Sequence, residues 1–342
     1  MLHTFIIALW LSLVCHGTSA VASLSRLDVR YERHSKGHNT QKRGLKQEKI
    51  LNETARYEDN ASLQVHLQDL AFRCSEITTL HSIGKSTRGR EISAMQMTRF
   101  PGRNLPKIKL VGNIHGNEPT GRYLCTQLAE WLCMNRKNGK AKEVLEKVDL
   151  FLIPTLNPDG FDMKKRENAL GIDLNRNFPD RFTQPDMNLS GGEEIETQLL
   201  VNWTLHNGPF ISSLAFHEGA LVANYPWDGT DDRKTRYEAC PDDQTFKHLA
   251  TVYATSHRKM SLNSNKEFPN GGTTNGAAWY PIYGSMQDWN YIRAKCMEIT
   301  IEVSERKWPD ERGLPELFED NKMSIINFVL SSTYGGCVEF PK

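Results

Sequence analysis

Between about residues 57 and 330 the chain alternates short apolar runs with longer stretches whose apolar residues recur every three or four positions. The short runs are Ile77 to Ile83, Ile92 to Met97, Ile108 to Ile114, Val148 to Pro154, Ile211 to Phe216 and Met297 to Val303. Their length and apolar content predict strands. The longer stretches, at 119–134, 193–207, 242–260 and 314–330, predict helices. In the first of them Pro119 suits the opening turn, and Leu124, Leu128, Trp131 and Leu132 follow at helical spacing. Strands alternating with helices predict an α/β fold: a mixed, mostly parallel central sheet flanked by helices, built as one domain over 57–330 with a short tail at 331–342.

The N-terminal region departs from this pattern. The apolar run from Phe5 to Cys15 is followed by Thr18, Ser19 and Ala20. It falls short of the roughly 20 apolar residues that span a membrane and reads as a cleaved signal peptide over 1–20. Residues 21–56 carry nine Lys or Arg against four Asp or Glu, have no sustained periodicity and contain the dibasic pair Lys42-Arg43. They read as a flexible basic arm or pro-segment. Overall, 42 basic residues against 41 acidic ones leave a net charge of +1, without the strong positive field that phosphate binding needs. Nucleic acid is therefore not an expected partner, and no other stretch approaches transmembrane length.

Export changes the reading of the cysteines. Loss of the signal removes Cys15 and leaves Cys74, Cys125, Cys133, Cys240, Cys296 and Cys337, an even set that allows up to three disulfides in unspecified pairing. Sequons at Asn52, Asn60, Asn188 and Asn202 agree with a secreted or lumenal protein.

The candidate chemistry lies at strand ends. The run Ile108 to Ile114 leads into His115-Gly-Asn-Glu118, and Ile211 to Phe216 leads into His217. Ligands of α/β sheets collect at the carboxyl ends of strands, and two histidines with one glutamate form the donor set of a catalytic zinc with an open position. Taken singly, each of these residues is more often structural. Asp173-Leu-Asn175-Arg176-Asn177 concentrates polar groups suited to holding an anion, with Arg166 as a second cation. In Glu298-Ile-Thr-Ile-Glu302 the polar residues alternate and share one strand face. A carboxylate in such a strand is costly unless paired or functional, which marks Glu302 as a candidate general base.

Six segments, in order, resemble the zinc metallocarboxypeptidases, and within them the branch holding carboxypeptidases E, N, M and D: HGNEPTGR, NPDG, RENALGIDLNRNFPD, HEGALVANYPWD, NGAAWYPIYGSMQDWNYI and EITIEVS. The resemblance covers about 57–330. It implies one Zn2+ per chain on His115, Glu118 and His217, with Glu302 activating the attacking water. It implies that Arg166 polarises the scissile carbonyl, that Asn175 and Arg176 bind the terminal carboxylate, and that Tyr280 closes over the substrate. Asp228, with Gln287 beside it, would select C-terminal Lys or Arg; without the resemblance, Asp228 in Pro-Trp-Asp-Gly reads as a turn residue. The implied activity is that of a monomeric secreted enzyme acting on peptides or proteins with C-terminal Lys or Arg, as in peptide hormone processing.

Three positions depart from the branch. Glu218 stands where glycine is usual. Ser304-Glu305 replaces a serine-cysteine pair, and no transthyretin-like domain follows before Lys342. Glu218 carries two expectations: a partly exposed carboxylate that favours a cationic penultimate residue, or a substitution without consequence. Two other functions stay open, a catalytically dead binding protein and an amidohydrolase on the same scaffold.

Overall fold

The computed structural model describes residues 55–334 apart from Asn263. The signal-peptide and most of the basic-arm readings, Asn52 and Cys337 lie outside the described residues.

Eight strands make one sheet: β1 (Thr78–Lys85), β2 (Glu91–Met97), β3 (Lys107–Gly112), β4 (Asp149–Ile153), β5 (Phe210–His217), β6 (Ala220–Tyr225), β7 (Thr273–Asn275) and β8 (Met297–Ser304). Their spatial order is β1-β2-β4-β3-β5-β8-β6-β7. The pairs β3·β4, β3·β5, β5·β8 and β6·β7 are parallel, and β1·β2, β2·β4 and β6·β8 are antiparallel. The sheet is thus mixed, with a parallel centre. All six strands expected from apolar runs form. β6 and β7 were not expected, because ALVANY follows the β5 run after only Glu218-Gly219 and TTN is three polar residues.

The helices are α1 (Asn60–Arg73), α2 (Thr120–Asn135), α3 (Gly139–Lys147), α4 (Pro158–Met163), α5 (Ile195–Asn207), α6 (Asp243–Ser256), α7 (Gly276–Trp279), α8 (Met286–Ile292) and α9 (Leu314–Ser331). α2, α5, α6 and α9 match the periodic stretches, with Pro119 at the N-cap of α2 instead of inside its first turn. α1 starts where the Asp59 carboxylate accepts the Ser62 N–H at 2.7 Å, and it buries Leu63, Leu67 and Leu70 on one face.

Two apolar layers enclose the sheet. Alternation along each central strand divides its side chains between them: Leu110, Leu150, Leu152, Leu214 and Ile299 face α1, α2, α3, α6 and α9. Val111, Phe151, Ile153 and Ala215 pack instead with Leu200 and Trp203 of α5 and Trp289 of α8. At the carboxyl ends of the strands, glycines bring helix and strand together. A Cβ on Gly112 would lie 2.7 Å from the Gly121 backbone, so only glycine lets the first turn of α2 cross the end of β3.

The cysteines stay within the expected limit of three bridges. Among the described residues, Cys74 and Cys133 form a disulfide joining the ends of α1 and α2, whereas Cys125, Cys240 and Cys296 are buried and unpaired. Cys125 and Cys240 lie in one apolar layer and Cys296 in the other, where a small thiol packs as an apolar group. At the Asn60 sequon the side-chain Nδ2 donates to Pro158 O and to Asp162 Oδ1, both at 2.8 Å, in a buried site. Asn188 and Asn202 are exposed.

Candidate metal centre and active site

Three strand ends and the loops that follow them converge on one pocket. Beyond β3, Asn113 takes a left-handed backbone (φ 55°), which asparagine tolerates better than other non-glycine residues. Its buried amide donates to His115 O at 2.8 Å and to Gly116 O at 3.2 Å, curling the loop so that His115 and Glu118 point the same way. Parallel pairing of β5 with β8 sets His217 directly opposite Glu302. The register of the sheet therefore delivers the third candidate ligand and the candidate base side by side.

The donors meet closely. His115 Nδ1 and His217 Nδ1 are 3.1 Å apart and lie 2.9 Å and 3.1 Å from Glu118 Oε2. One donor atom from each residue lies within 4.8 Å of the others, and all three residues are buried. Burial lowers the His217 pKa to about 4, so the ring is neutral as ligation requires. Burial opposes ionisation of Glu118, but the two adjacent imidazoles outweigh it and hold the carboxyl well below its ordinary range. Two nitrogen acceptors turned on one carboxylate oxygen call for a cation between them, and this donor set suits zinc. His115 Nε2 lies 3.1 Å from Asp173 Oδ1, a contact that fixes the ring with Nδ1 toward the centre. Asp173 also accepts from Arg166 Nε at 2.8 Å, so Arg166 is aimed at the same place.

The alternating carboxylates of β8 separate into two kinds. Glu298 is fully buried and held through one oxygen: Ser213 Oγ and Asn290 Nδ2 donate to its Oε2 at 2.6 Å and 2.7 Å and Lys109 Nζ lies 3.4 Å from it, while Oε1 has no hydrogen-bond partner. Glu302 is also buried, yet its Oε2 has no hydrogen-bond partner. Burial and the neighbouring Glu118 charge push its carboxyl well above the usual carboxylate range. An unpartnered acid facing the donor cluster is the costly arrangement that structure alone does not justify.

From the donor cluster a pocket of about 190 Å³ runs inward to Asp228. A larger cavity of about 760 Å³ lies at the opposite strand ends, around Lys107, Phe210 and Met297, remote from these donors. Asp228 is buried, and its carboxylate accepts from Gln287 Nε2 at 2.9 Å and Asn224 Nδ2 at 3.3 Å. Gln287 is oriented by Thr300 N–H, which donates to its Oε1 at 2.9 Å. Gly276 leaves the space for this arrangement, since a Cβ there would lie 2.1 Å from Asp228 Oδ1. Burial raises the Asp228 pKa to about 6. Asp288, whose carboxylate accepts the Asp228 N–H at 3.1 Å, is pushed well higher by burial and by the Asp228 charge. Two carboxyls this close and this buried therefore resist carrying two negative charges together.

Arg176 and Asn175 line the same pocket. Asn175 Oδ1 accepts from Met286 N–H at 2.9 Å, which leaves its amide nitrogen as the donor for a ligand. Tyr280 stands at the mouth, 46% exposed. The pocket thus gathers all ten residues singled out from the sequence, Gln287 through its bond to Asp228. Three contributors were not singled out: Asn113, Asn224 and Lys307, whose Nζ lies 2.9 Å from Glu118 Oε1. Asn224 sits in the segment HEGALVANYPWD, and that was its available signal; Asn113 lies two residues before HGNEPTGR and carried none.

Glu218 overturns the expectation of a partly exposed charge. It is 2% exposed, with its carboxylate bound to the backbone N–H groups of Thr120 and Trp308, and burial raises its pKa to about 8. It borders the pocket, but with both carboxylate oxygens engaged by backbone N–H groups.

A mixed sheet with a buried His-Glu-His cluster at its carboxyl edge defines a metal-dependent enzyme of the α/β class. The sequence profile described as zinc carboxypeptidase matches residues 63–324, and the chain belongs to that family. It is 47% identical over 283 residues to "Carboxypeptidase SOL1" of Arabidopsis thaliana, covering 81% of this chain and 56% of the relative. It is 40% identical over 328 residues to "Carboxypeptidase E" of Caenorhabditis elegans, covering 83% of this chain and 69% of the relative. The chain thus spans little more than half the length of the Arabidopsis relative. The crystal structure of carboxypeptidase A from Helicoverpa armigera shares the fold, with a TM-score of 0.69 at 17% identity over 86% of this chain and 81% of that one. The chain has the expected α/β fold, shared with the zinc carboxypeptidases, and its His-Glu-His centre suits one Zn2+. Among the described residues no helix is long and apolar enough to cross a membrane.

Proposed function

We propose that this enzyme removes Lys or Arg from the C-termini of peptides or proteins, as a secreted or secretory-lumen monomer whose catalytic unit spans 57–330. The observation that carries this reading is Asp228. A buried carboxylate whose side-chain hydrogen-bond partners, Gln287, Asn224 and Ser285, are all neutral closes the pocket that begins at the metal donors. A cationic side chain entering the pocket supplies the countercharge that the protein withholds. Secretion rests on the apolar run Phe5 to Cys15 and the small residues after it.

His115, Glu118 and His217 hold the metal in this reading. Bound Zn2+ supplies a Lewis acid that makes water nucleophilic near neutral pH. Glu302 takes the proton of the attacking water and passes it to the leaving amine. Arg166, aimed by Asp173, faces the oxyanion that develops on the scissile carbonyl. Asn175 and Arg176 receive the terminal carboxylate, and Tyr280 covers the bound residue from the mouth. The test is turnover of matched peptides ending in Arg, Lys, Leu or Glu by the zinc-loaded protein, with metal content measured alongside. Efficient release of Arg and Lys alone, lost on chelation and restored by zinc, is expected. Equal or better release of Leu or Glu overturns the specificity reading.

A further inference from the structure

We propose that Glu218 is a positioning residue for the metal centre, its buried carboxylate tying the two loops that carry the metal donors to the turn that follows Glu302. The inference rests on the reading of His115, Glu118 and His217 as the zinc ligands.

Glu218 directly follows His217. Its Oε1 accepts the N–H of Thr120, two residues beyond Glu118 in the first turn of α2. Its Oε2 accepts the N–H of Trp308 at 2.7 Å, six residues beyond Glu302. Its own N–H points at Glu118 Oε2, 3.2 Å away. One residue therefore bonds to the segment of each other carboxylate at the centre. The bridge is closed from behind by Tyr57, whose hydroxyl lies 3.3 Å from Thr120 Oγ1 and donates to Pro309 O at 3.1 Å. The Tyr57 ring packs edge-on against Trp308 at 5.6 Å, and Trp308 stacks on Phe161 at 5.3 Å.

The consequence is mechanical. β3 and β5 are neighbours in the sheet, but His115 and Glu118 lie beyond the end of β3, past the last ladder bond. The ladder does not dictate their distance from His217. Glu218 supplies the missing link, since its side chain bonds one end of the Glu118-Pro119-Thr120 segment and its N–H bonds the other. Without that carboxylate the Thr120 and Trp308 N–H groups lose their acceptor. Outer partners of metal ligands are typically worth 10- to 100-fold in metal affinity.

The test compares E218G and E218Q with the full-length wild type by zinc competition against a chromogenic chelator, with the melting temperature of each metal-free protein recorded. E218G is expected to bind zinc about 10- to 100-fold more weakly, and E218Q by a smaller factor, because an amide oxygen still serves one of the two N–H groups. The ratio of kcat/KM for peptides ending Lys-Arg and Ala-Arg should not change in either variant. Zinc affinity within two-fold of wild type in E218Q and in any folded E218G overturns the proposal, as does a changed Lys-Arg to Ala-Arg ratio. If E218G does not fold, E218Q alone decides. H217A serves as the control: zinc binding that survives it defeats the ligand assignment itself, a failure distinct from that of Glu218.

Discussion

Replacing Asp228 by asparagine tests the specificity pocket at its closed end. The change is nearly isosteric and keeps an oxygen for the Gln287 and Asn224 amides, so the pocket should retain its shape while losing its charge. Asp228 is 2% exposed, and solvent cannot replace the lost partner. Leaving a buried cation unpaired costs about 3–5 kcal/mol, which at about 1.4 kcal/mol per decade is roughly two to three and a half decades in kcat/KM. The informative comparison is a peptide ending in arginine against one ending in citrulline, which has nearly the same shape and no charge. Wild type should prefer arginine by that factor, and D228N should bring the ratio close to one.

The raised pKa of Asp228 makes a second, independent demand on the same assay. Its charge is present above about pH 6 and is lost as pH falls through that value. Between pH 7 and pH 5 the arginine preference of wild type should therefore shrink by about tenfold, one pKa unit being about 1.4 kcal/mol. An arginine-to-citrulline ratio that is the same in D228N and wild type refutes the pocket assignment. A ratio flat from pH 5 to pH 7 refutes the account of its charge.

Much of the sheet was legible because its central strands are buried on both faces and read as plain apolar runs, as Ile108 to Ile114 and Met297 to Val303 do. β6 escaped because only two residues separate it from β5, a gap that suggests one continuous strand, while β8 in fact lies between them. The metal donors were legible as histidines and a glutamate at strand ends. Asp228 was not legible from local pattern, since Pro-Trp-Asp-Gly has the composition of a turn, and only resemblance singled it out. Glu218 was misread for a reason that local sequence cannot repair. Its direction is decided by Thr120 and Trp308, 98 and 90 positions away, so adjacency to a ligand at the pocket said nothing about exposure. The even cysteine count set only an upper bound of three bridges, and among the described residues Cys125, Cys240 and Cys296 are instead buried as free thiols. The sequon at Asn60 marks the start of a buried helix turn, where its amide is already spent on Pro158 and Asp162.

Glu302→Gln should retain zinc and keep KM within a few-fold while lowering kcat by about 10²- to 10⁴-fold, because the amide keeps the shape but cannot take a proton; steady-state kinetics beside metal analysis checks this, and a kcat within a few-fold of wild type places the base elsewhere. Loss of the Cys74–Cys133 bridge in C133S should lower stability by about 2–4 kcal/mol without touching zinc affinity, since the bond closes a loop of 59 positions remote from the centre; denaturant unfolding reads the first quantity and chelator competition the second. The last prediction concerns His66, whose two ring nitrogens each meet a carboxylate at 2.9 Å, Glu58 on one side and Glu130 on the other. These bonds raise its pKa to about 9, against an ordinary value near 6.5, by favouring the doubly protonated ring. A pKa raised by folding stabilises the native state fully below the unfolded value, and that contribution disappears as pH climbs through the folded one. Wild type should therefore lose stability between about pH 6.5 and pH 9 relative to H66Q. The shift corresponds to about 3 kcal/mol at most, and partial exposure of both carboxylates reduces it to about 1–2 kcal/mol. Chemical denaturation of both proteins at pH 6 and pH 9.5 measures the difference, and subtracting the variant removes every other group that titrates in that window. If the stability gap between the two proteins is the same at both pH values, the imidazolium is not what the two glutamates hold.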